Sequence, residues 1–223
     1  MQLTGWDSYY SKEITVPAFV ASSIYHWPYI WQVYLKAKNS AIEIGCGRGI
    51  QAIFLSYFIR TVVGIDKSLE LIERAKVNNA KLRGRACFLV RDAFKLDFPV
   101  DTFDVCFSQG FFEHFTPEEI CRLTKEQLRV AKAVVASIPS TFYSVKDKGD
   151  EHLLSIEEWE KILKEFRTHL FYYGFTPRDP HRLISVKNLL DFTKLLSSKS
   201  YRAHICMLIQ RKKETNIPIK HVP

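Results

Sequence analysis

The chain has 223 residues, 47% of them hydrophobic and 25% charged, with a net charge of +8. That length buries a full core and fits one α/β domain better than two, and the composition is that of an ordinary globular protein. No apolar run reaches the length needed to cross a bilayer, and Met1 to Tyr10 carries Asp7 with no basic cluster, so a cytoplasmic location without a secretory leader is expected.

Nine aromatic residues fall between Trp6 and Tyr34. Trp27, Trp31 and Tyr34 share one helical face, with Pro28 suited to the first turn, and that helix is expected to pack on a sheet. Ser40 to Ile44 reads as a first strand, running into Gly45-Cys46-Gly47-Arg48-Gly49 and a helix over about 49–58. Thr61 to Ile65 gives the second strand. A helix from Ser68 to Leu82 closes at Gly84, and Ala86 to Val90 and Phe103 to Ser108 give the third and fourth strands. Thr116, Pro117 and Glu119 announce a capped helix, and Val130 to Ile138 is the fifth strand. Ser155 and Glu158 form a second capping box, opening a helix with Ile156, Trp159, Leu163, Phe166 and Leu170 on one face. Tyr201 to Gln210 alternates as a final strand, with a helix expected at 186–196. Short apolar runs alternating with helical periodicity predict a doubly wound α/β fold with a mostly parallel sheet.

The five cysteines, Cys46, Cys87, Cys106, Cys121 and Cys206, are odd in number and lack C-x-x-C spacing. They read as small buried hydrophobes, not as a disulfide framework or a metal site. From Arg178 to Pro223 there are ten Lys or Arg against three Asp or Glu. These charges are spread out and interrupted by Leu183-Ile184, Leu189-Leu190 and Leu195-Leu196, so a solvated face with a flexible tail over 213–223 is expected rather than a nucleic-acid reader.

Chemistry concentrates around the first strand. A glycine triplet lets the backbone turn sharply and lets a ligand meet free N–H groups at a helix N-terminus. The spacing is G-x-G-x-G, with Glu43 two positions ahead, unlike the G-x-G-x-x-G of a dinucleotide site. About twenty residues on, the second strand ends in Asp66, placed to accept both hydroxyls of a ribose or to cap the next helix. Arg91-Asp92-Ala93 follows the third strand. Phe103-Asp104-Val105-Cys106-Phe107-Ser108 leads to Gly110 and Glu113-His114-Phe115.

In this order and spacing the four elements resemble the class I S-adenosylmethionine-dependent methyltransferases, in their small-molecule branch. The resemblance is strong over roughly 40–140 and topological elsewhere. It implies a Rossmann-like, seven-stranded single domain over 1–223: an N-terminal helical segment (1–39), a cofactor half (40–140), a substrate-side half (141–212) and a tail. It implies S-adenosylmethionine as cofactor, no metal, and a small-molecule methyl acceptor. Gly45, Cys46, Gly47 and Gly49 would pass the methionine part, with Glu43 near its ammonium group. Asp66 and Lys67 would lie at the ribose, Asp92 and Ala93 at the adenine, and Ser108 beside the sulfonium, with Gln109 and Gly110 near the acceptor. Asp104 is expected to support the fourth strand. His114 and Glu113 are the first candidates for a base, and His152 with Asp150 and Glu151 the second. Trp6, Tyr9 and Tyr10 would form a lid. An Asn/Asp-Pro-Pro-aromatic tetrapeptide and a Pro-Cys nucleophile are both lacking after the fourth strand, which favours a small acceptor. The rival readings are an RNA or protein methyltransferase and a non-catalytic binder of the cofactor.

Overall fold

The computed structural model describes residues 14–143, 151–174 and 202–212. Thr15 caps the first helix, α1 (Val16–Tyr25), by accepting the Ala18 N–H at 3.3 Å. α2 (Trp27–Lys36) follows after one residue, with Pro28 in its first turn. Next come β1 (Ser40–Ile44), α3 (Ile50–Leu55), β2 (Thr61–Asp66), α4 (Leu69–Lys81), β3 (Cys87–Val90) and β4 (Val105–Gln109). A 3-10 turn at Phe112–His114 leads to α5 (Pro117–Val130), then β5 (Val134–Pro139), α6 (Ile156–Ile162), β6 (Arg167–Tyr173) and β7 (His204–Gln210). Both expected capping boxes are present, Thr116 with Glu119 and Ser155 with Glu158.

The strands form one seven-stranded sheet in the order β3-β2-β1-β4-β5-β7-β6. β1 to β5 run parallel, and β7 is antiparallel to both β5 and β6. Each face of the sheet is covered by its own core, as a parallel sheet requires. Ala41, Val62, Val105, Phe107, Val135 and Cys206 face α1 to α4, together with Tyr29, Ile30 and Val33. Ile42, Ile44, Val63, Ile65, Cys106, Val134 and Ile205 face α5 and α6, together with Leu123 and Trp159. The alternation along each strand is the period of two that directs successive side chains to opposite faces.

Three expectations are corrected, and for α2, which packs on the sheet as expected, the packing face is identified. The helix opened by Ser155 stops at Ile162, and Leu170 lies in β6, paired with Met207 of β7. The aromatic run Phe171-Tyr172-Tyr173 favours a pleated surface, and its spacing merely coincided with a helical period. The fifth strand starts at Val134 rather than Val130, because α5 continues through Val130. In α2 the face that packs on the sheet is Tyr29, Ile30 and Val33, whereas Trp27, Trp31 and Tyr34 are 47%, 41% and 43% exposed and stack on one another. The left-handed residue after α4 is Arg83 (φ 54), not Gly84, which instead donates its N–H to the Asn79 carbonyl. The region 186–196 and Trp6, Tyr9 and Tyr10 lie outside the described residues.

Asp104 has the supporting role expected of it. Its Oδ2 accepts the Asn39 and Ser40 amides at 2.7 and 3.1 Å, and its Oδ1 the Lys132 ammonium at 2.9 Å. Burial works against the charge, but the Asn39 amide, the Lys132 ammonium and the Ser40 amide outweigh it and pull the carboxyl down to about 2. A depressed carboxylate stabilises the fold above its unfolded value and ceases to do so as pH falls through its folded one. Asp104→Asn should therefore lower the unfolding free energy by about 2 kcal/mol at pH 7, as measured by urea denaturation. The difference from wild type should shrink below about pH 4 and close near pH 2.

Candidate active site

β1 and β4 are neighbours although β2 and β3 lie on the other side of β1, so the strand order reverses between them. Ligands of open α/β sheets bind at the carboxyl ends of strands beside such a reversal. The glycine triplet is there. Gly45, Gly47 and Gly49 have φ of 66°, 51° and 78°, in the left-handed region that side chains disfavour. The Cys46 N–H bonds the Ile65 carbonyl at 2.8 Å, and the Gly49 N–H bonds back to the Cys46 carbonyl at 2.8 Å, closing the turn. Two of the glycines also make room for the protein's own rings. A Cβ on Gly45 would stand 2.5 Å from the Phe111 ring, and one on Gly49 would stand 2.6 Å from Phe88. Close packing of the loop, as well as ligand approach, thus demands glycine.

Asp66 closes the other side of the loop. Its Oδ2 accepts the Gly47 N–H at 3.0 Å and its Oδ1 the Ser68 N–H at 2.9 Å. Ser68, not Asp66, is the cap of α4 and accepts the Leu71 N–H. Burial raises the Asp66 carboxyl, against the Ser68 and Gly47 amides and the Lys67 charge. Lys67 itself is exposed. Glu43 lies beneath the loop, buried, with Oε2 accepting the Ala52 N–H at the start of α3 at 2.9 Å. Burial pushes its carboxyl up to about 8, against that amide bond and with help from the Asp66 charge. Cys46 is buried, its thiol raised by burial and by Glu43 and Asp66.

Asp92 is exposed past the end of β3, its Oδ1 accepting the Phe94 N–H at 2.9 Å, and Ala93 is half-buried beside it. Ser108 is buried near the end of β4, and its hydroxyl has no hydrogen-bond partner among the described residues. Gly110 turns the chain away with φ 61°. Glu113 is buried and approaches His114 Nε2 at 4.0 Å. The structure brings the second group of base candidates to the first: the His152 N–H donates to the Glu113 carbonyl at 2.8 Å, with His152 exposed and Glu151 buried. Asp150 lies outside the described residues. Among those residues no group of His, Cys, Asp and Glu is placed to hold a metal ion, and no helix is long and apolar enough to cross a membrane.

Sequence reasoning missed a buried polar chain on the far side of Gln109. Gln51 Nε2 donates to Gln109 Oε1 at 2.8 Å, and Gln109 Nε2 lies 2.8 Å from His26 Nε2. His26 Nδ1 lies 2.9 Å from the Tyr173 hydroxyl, which bonds to Ser137 Oγ. With the Gln109 amide as donor, His26 accepts on Nε2 and donates from Nδ1. Burial, then the nearby His204, hold His26 well below the usual histidine range. His204 is lowered to about 4 by burial, partly offset by a bond to the Ile138 backbone. Its ring is packed among those of Tyr25, His26, Tyr143 and Tyr173. The one signal available in the sequence was Gln51, two positions past the glycine triplet. His26, Tyr173 and His204 are far apart along the chain and meet only in the folded sheet.

Residues 41–133 match the family described as Methyltransferase domain. Over 81 residues the chain is 33% identical to phosphoethanolamine N-methyltransferase 3 of Arabidopsis thaliana, covering 36% of this chain and 16% of that protein. Over 87 residues it is 30% identical to the eEF1A lysine and N-terminal methyltransferase of Mus musculus, covering 39% of this chain and 12% of that one. The chain thus spans a small part of either relative. A solved S-adenosylmethionine-dependent methyltransferase from Archaeoglobus fulgidus superposes with a TM-score of 0.64 at 15% identity, covering 92% of this chain and 98% of that one. Residues 41–133 thus match a methyltransferase-domain family, and the described chain has the fold of solved S-adenosylmethionine-dependent methyltransferases.

Proposed function

We propose that this chain transfers the methyl group of S-adenosylmethionine to a small-molecule acceptor by in-line displacement. The observation that carries the reading is the left-handed glycine loop bonded to Asp66 beside the strand reversal. Its backbone supplies a turn with room for a ligand at a helix N-terminus. The Asp66 carboxylate has about four acceptor positions, and with the Gly47 and Ser68 amides on separate oxygens it retains acceptor capacity for ribose hydroxyls. Asp92 retains its second oxygen for an adenine amino group, with the Ala93 backbone against the ring. The buried, unpartnered Ser108 hydroxyl fits a polar end of the cofactor at the tip of β4.

The cofactor supplies a methyl group on a sulfonium, a good leaving group. The protein then has to align the acceptor behind that methyl and keep water out. Gln109 and Gly110, at the end of β4, border the space where the acceptor would lie. An acceptor that must lose a proton would find His114 and Glu113 one turn further on. In this reading the 223 residues act as one domain, with the cofactor in the 40–140 half and the acceptor in the 141–212 half.

Glu43 gives the site a proton to release. With its carboxyl at about 8 it is mostly neutral at pH 7, and a methionine ammonium beside it favours the charged form. Three results are expected. S-adenosylhomocysteine binds with a Kd near or below about 1 μM in calorimetry; no heat and no thermal shift would defeat the reading. Asp66→Asn weakens that binding by ~1.5–3 kcal/mol, a loss of about tenfold or more, with a smaller fall in melting temperature from the weakened Gly47 bond. Binding at pH 7 releases a fraction of a proton, read from calorimetry in two buffers of different ionisation enthalpy, and Glu43→Gln removes that release.

A further inference from the structure

Past the end of β5 the chain turns through Phe142 and Tyr143 and meets Arg202, which leads into β7. The Arg202 guanidinium lies over two rings at once, 5.8 Å from the Phe142 centroid and 5.5 Å from that of Tyr172. The rings are 5.7 Å apart and nearly perpendicular. The backbone beneath is pinned on both sides. The Ser140 hydroxyl donates to the Arg202 carbonyl, the Ser140 N–H to the Ala203 carbonyl at 2.9 Å, and the Ala203 N–H to the Gly174 carbonyl at 3.1 Å. Phe142 is fixed as well, its N–H bonded to Ser140 Oγ at 3.1 Å.

Arg74, Arg129 and Arg211 each pair with a carboxylate. Arg202 has no carboxylate partner among the described residues, and it is exposed. A guanidinium seated between two rings can still offer N–H groups to the two oxygens of a carboxylate or phosphate, and loses less side-chain freedom on binding. The place matters too. Gln109 pairs with Ser137, and Pro139, two residues further along β5, pairs with His204, so Arg202 stands on the same carboxyl-end rim as Gly110. At 3.3 Å per residue and 4.8 Å per strand, the backbones of Gln109 and Arg202 are separated by on the order of 15 Å.

We propose that Arg202, on its Phe142–Tyr172 platform, is the oxyanion anchor of the acceptor site. The methyl acceptor is then an elongated molecule that ends in a carboxylate or a phosphate and carries the methylated atom at its other end, near Gln109. This rests on the methyl-transfer reading for what lies at that other end, while the anchor itself is testable alone.

The full chain is saturated with S-adenosylhomocysteine and titrated separately with inorganic phosphate and with succinate, using sodium chloride at matched ionic strength as control. The Ala203 and His204 amides are followed by nitrogen-edited NMR. A saturable shift with phosphate, succinate or both is expected, and the tighter probe assigns the anionic group. Arg202→Gln should weaken binding by about tenfold while S-adenosylhomocysteine affinity stays unchanged, and Phe142→Leu should give a smaller loss with the charge kept. Shifts that never saturate, that sodium chloride reproduces, or that persist in Arg202→Gln would overturn the anchor. Failure of S-adenosylhomocysteine to bind would count against methyl transfer instead, and the same titrations without it would still read the rim.

Discussion

The Asp66 carboxylate is the joint on which the glycine loop depends. One oxygen holds the Gly47 amide, in the middle of the loop after β1, and the other holds the Ser68 amide, in the turn after β2. Two crossovers of the sheet are thereby fixed to each other at their ligand-facing ends. Phe88 lies against the positions a Cβ would take on Gly49 and Gly64, and Phe111 against that on Gly45, so the loop is gripped from both sides. A left-handed backbone persists only where its surroundings over-determine it, and here a carboxylate and two rings do so. Glu43 completes the arrangement from below by satisfying an amide at the start of α3.

The rim beyond Gln109 is built on a different principle. Polar groups are buried there in number, and each hydrogen-bonds a neighbouring group. The chain from Gln51 through Gln109, His26 and Tyr173 to Ser137 joins α3, β4, the α1–α2 junction, β6 and β5. Both imidazoles are kept neutral mainly by burial. Such a network fixes geometry well when every member is satisfied, because any broken link leaves a desolvated group behind. It places a rigid, uncharged wall next to the Gly110 turn, and the exposed positive charge of Arg202 at the outer edge of the same rim.

The glycine-loop region was legible because its residues are close in sequence and each obeys a local rule. A glycine triplet at a strand end, an acid at the next strand end and the capping box at Thr116 can be read without any tertiary contact. The rim beyond Gln109 obeys no such rule. His26, Ser137, Tyr173 and His204 share neither a spacing nor a motif. Leu170 illustrates the same limit on a smaller scale, since Trp159, Leu163, Phe166 and Leu170 fit a helical period, and only pairing with β7 decides that the last belongs to a strand. Which face of α2 meets the sheet could not be read for a related reason. Aromatic residues at helical spacing identify a face, but Tyr29, Ile30 and Val33 made an equally apolar one, and the sheet took the smaller side chains.

The order of the last strands has a consequence for how the chain is assembled. β6 is made before β7, yet among the described strands its one neighbour is β7, which lies between it and β5. Until residues 204–210 leave the ribosome, β6 has none of the described strands to join. β2 to β5, by contrast, each pair in parallel with a strand already made. During synthesis the half that carries the glycine loop can therefore be complete while the wall beyond Gln109 does not yet exist. Tyr173 and His204, side by side in the finished rim, cannot meet until residues 204–210 have been made.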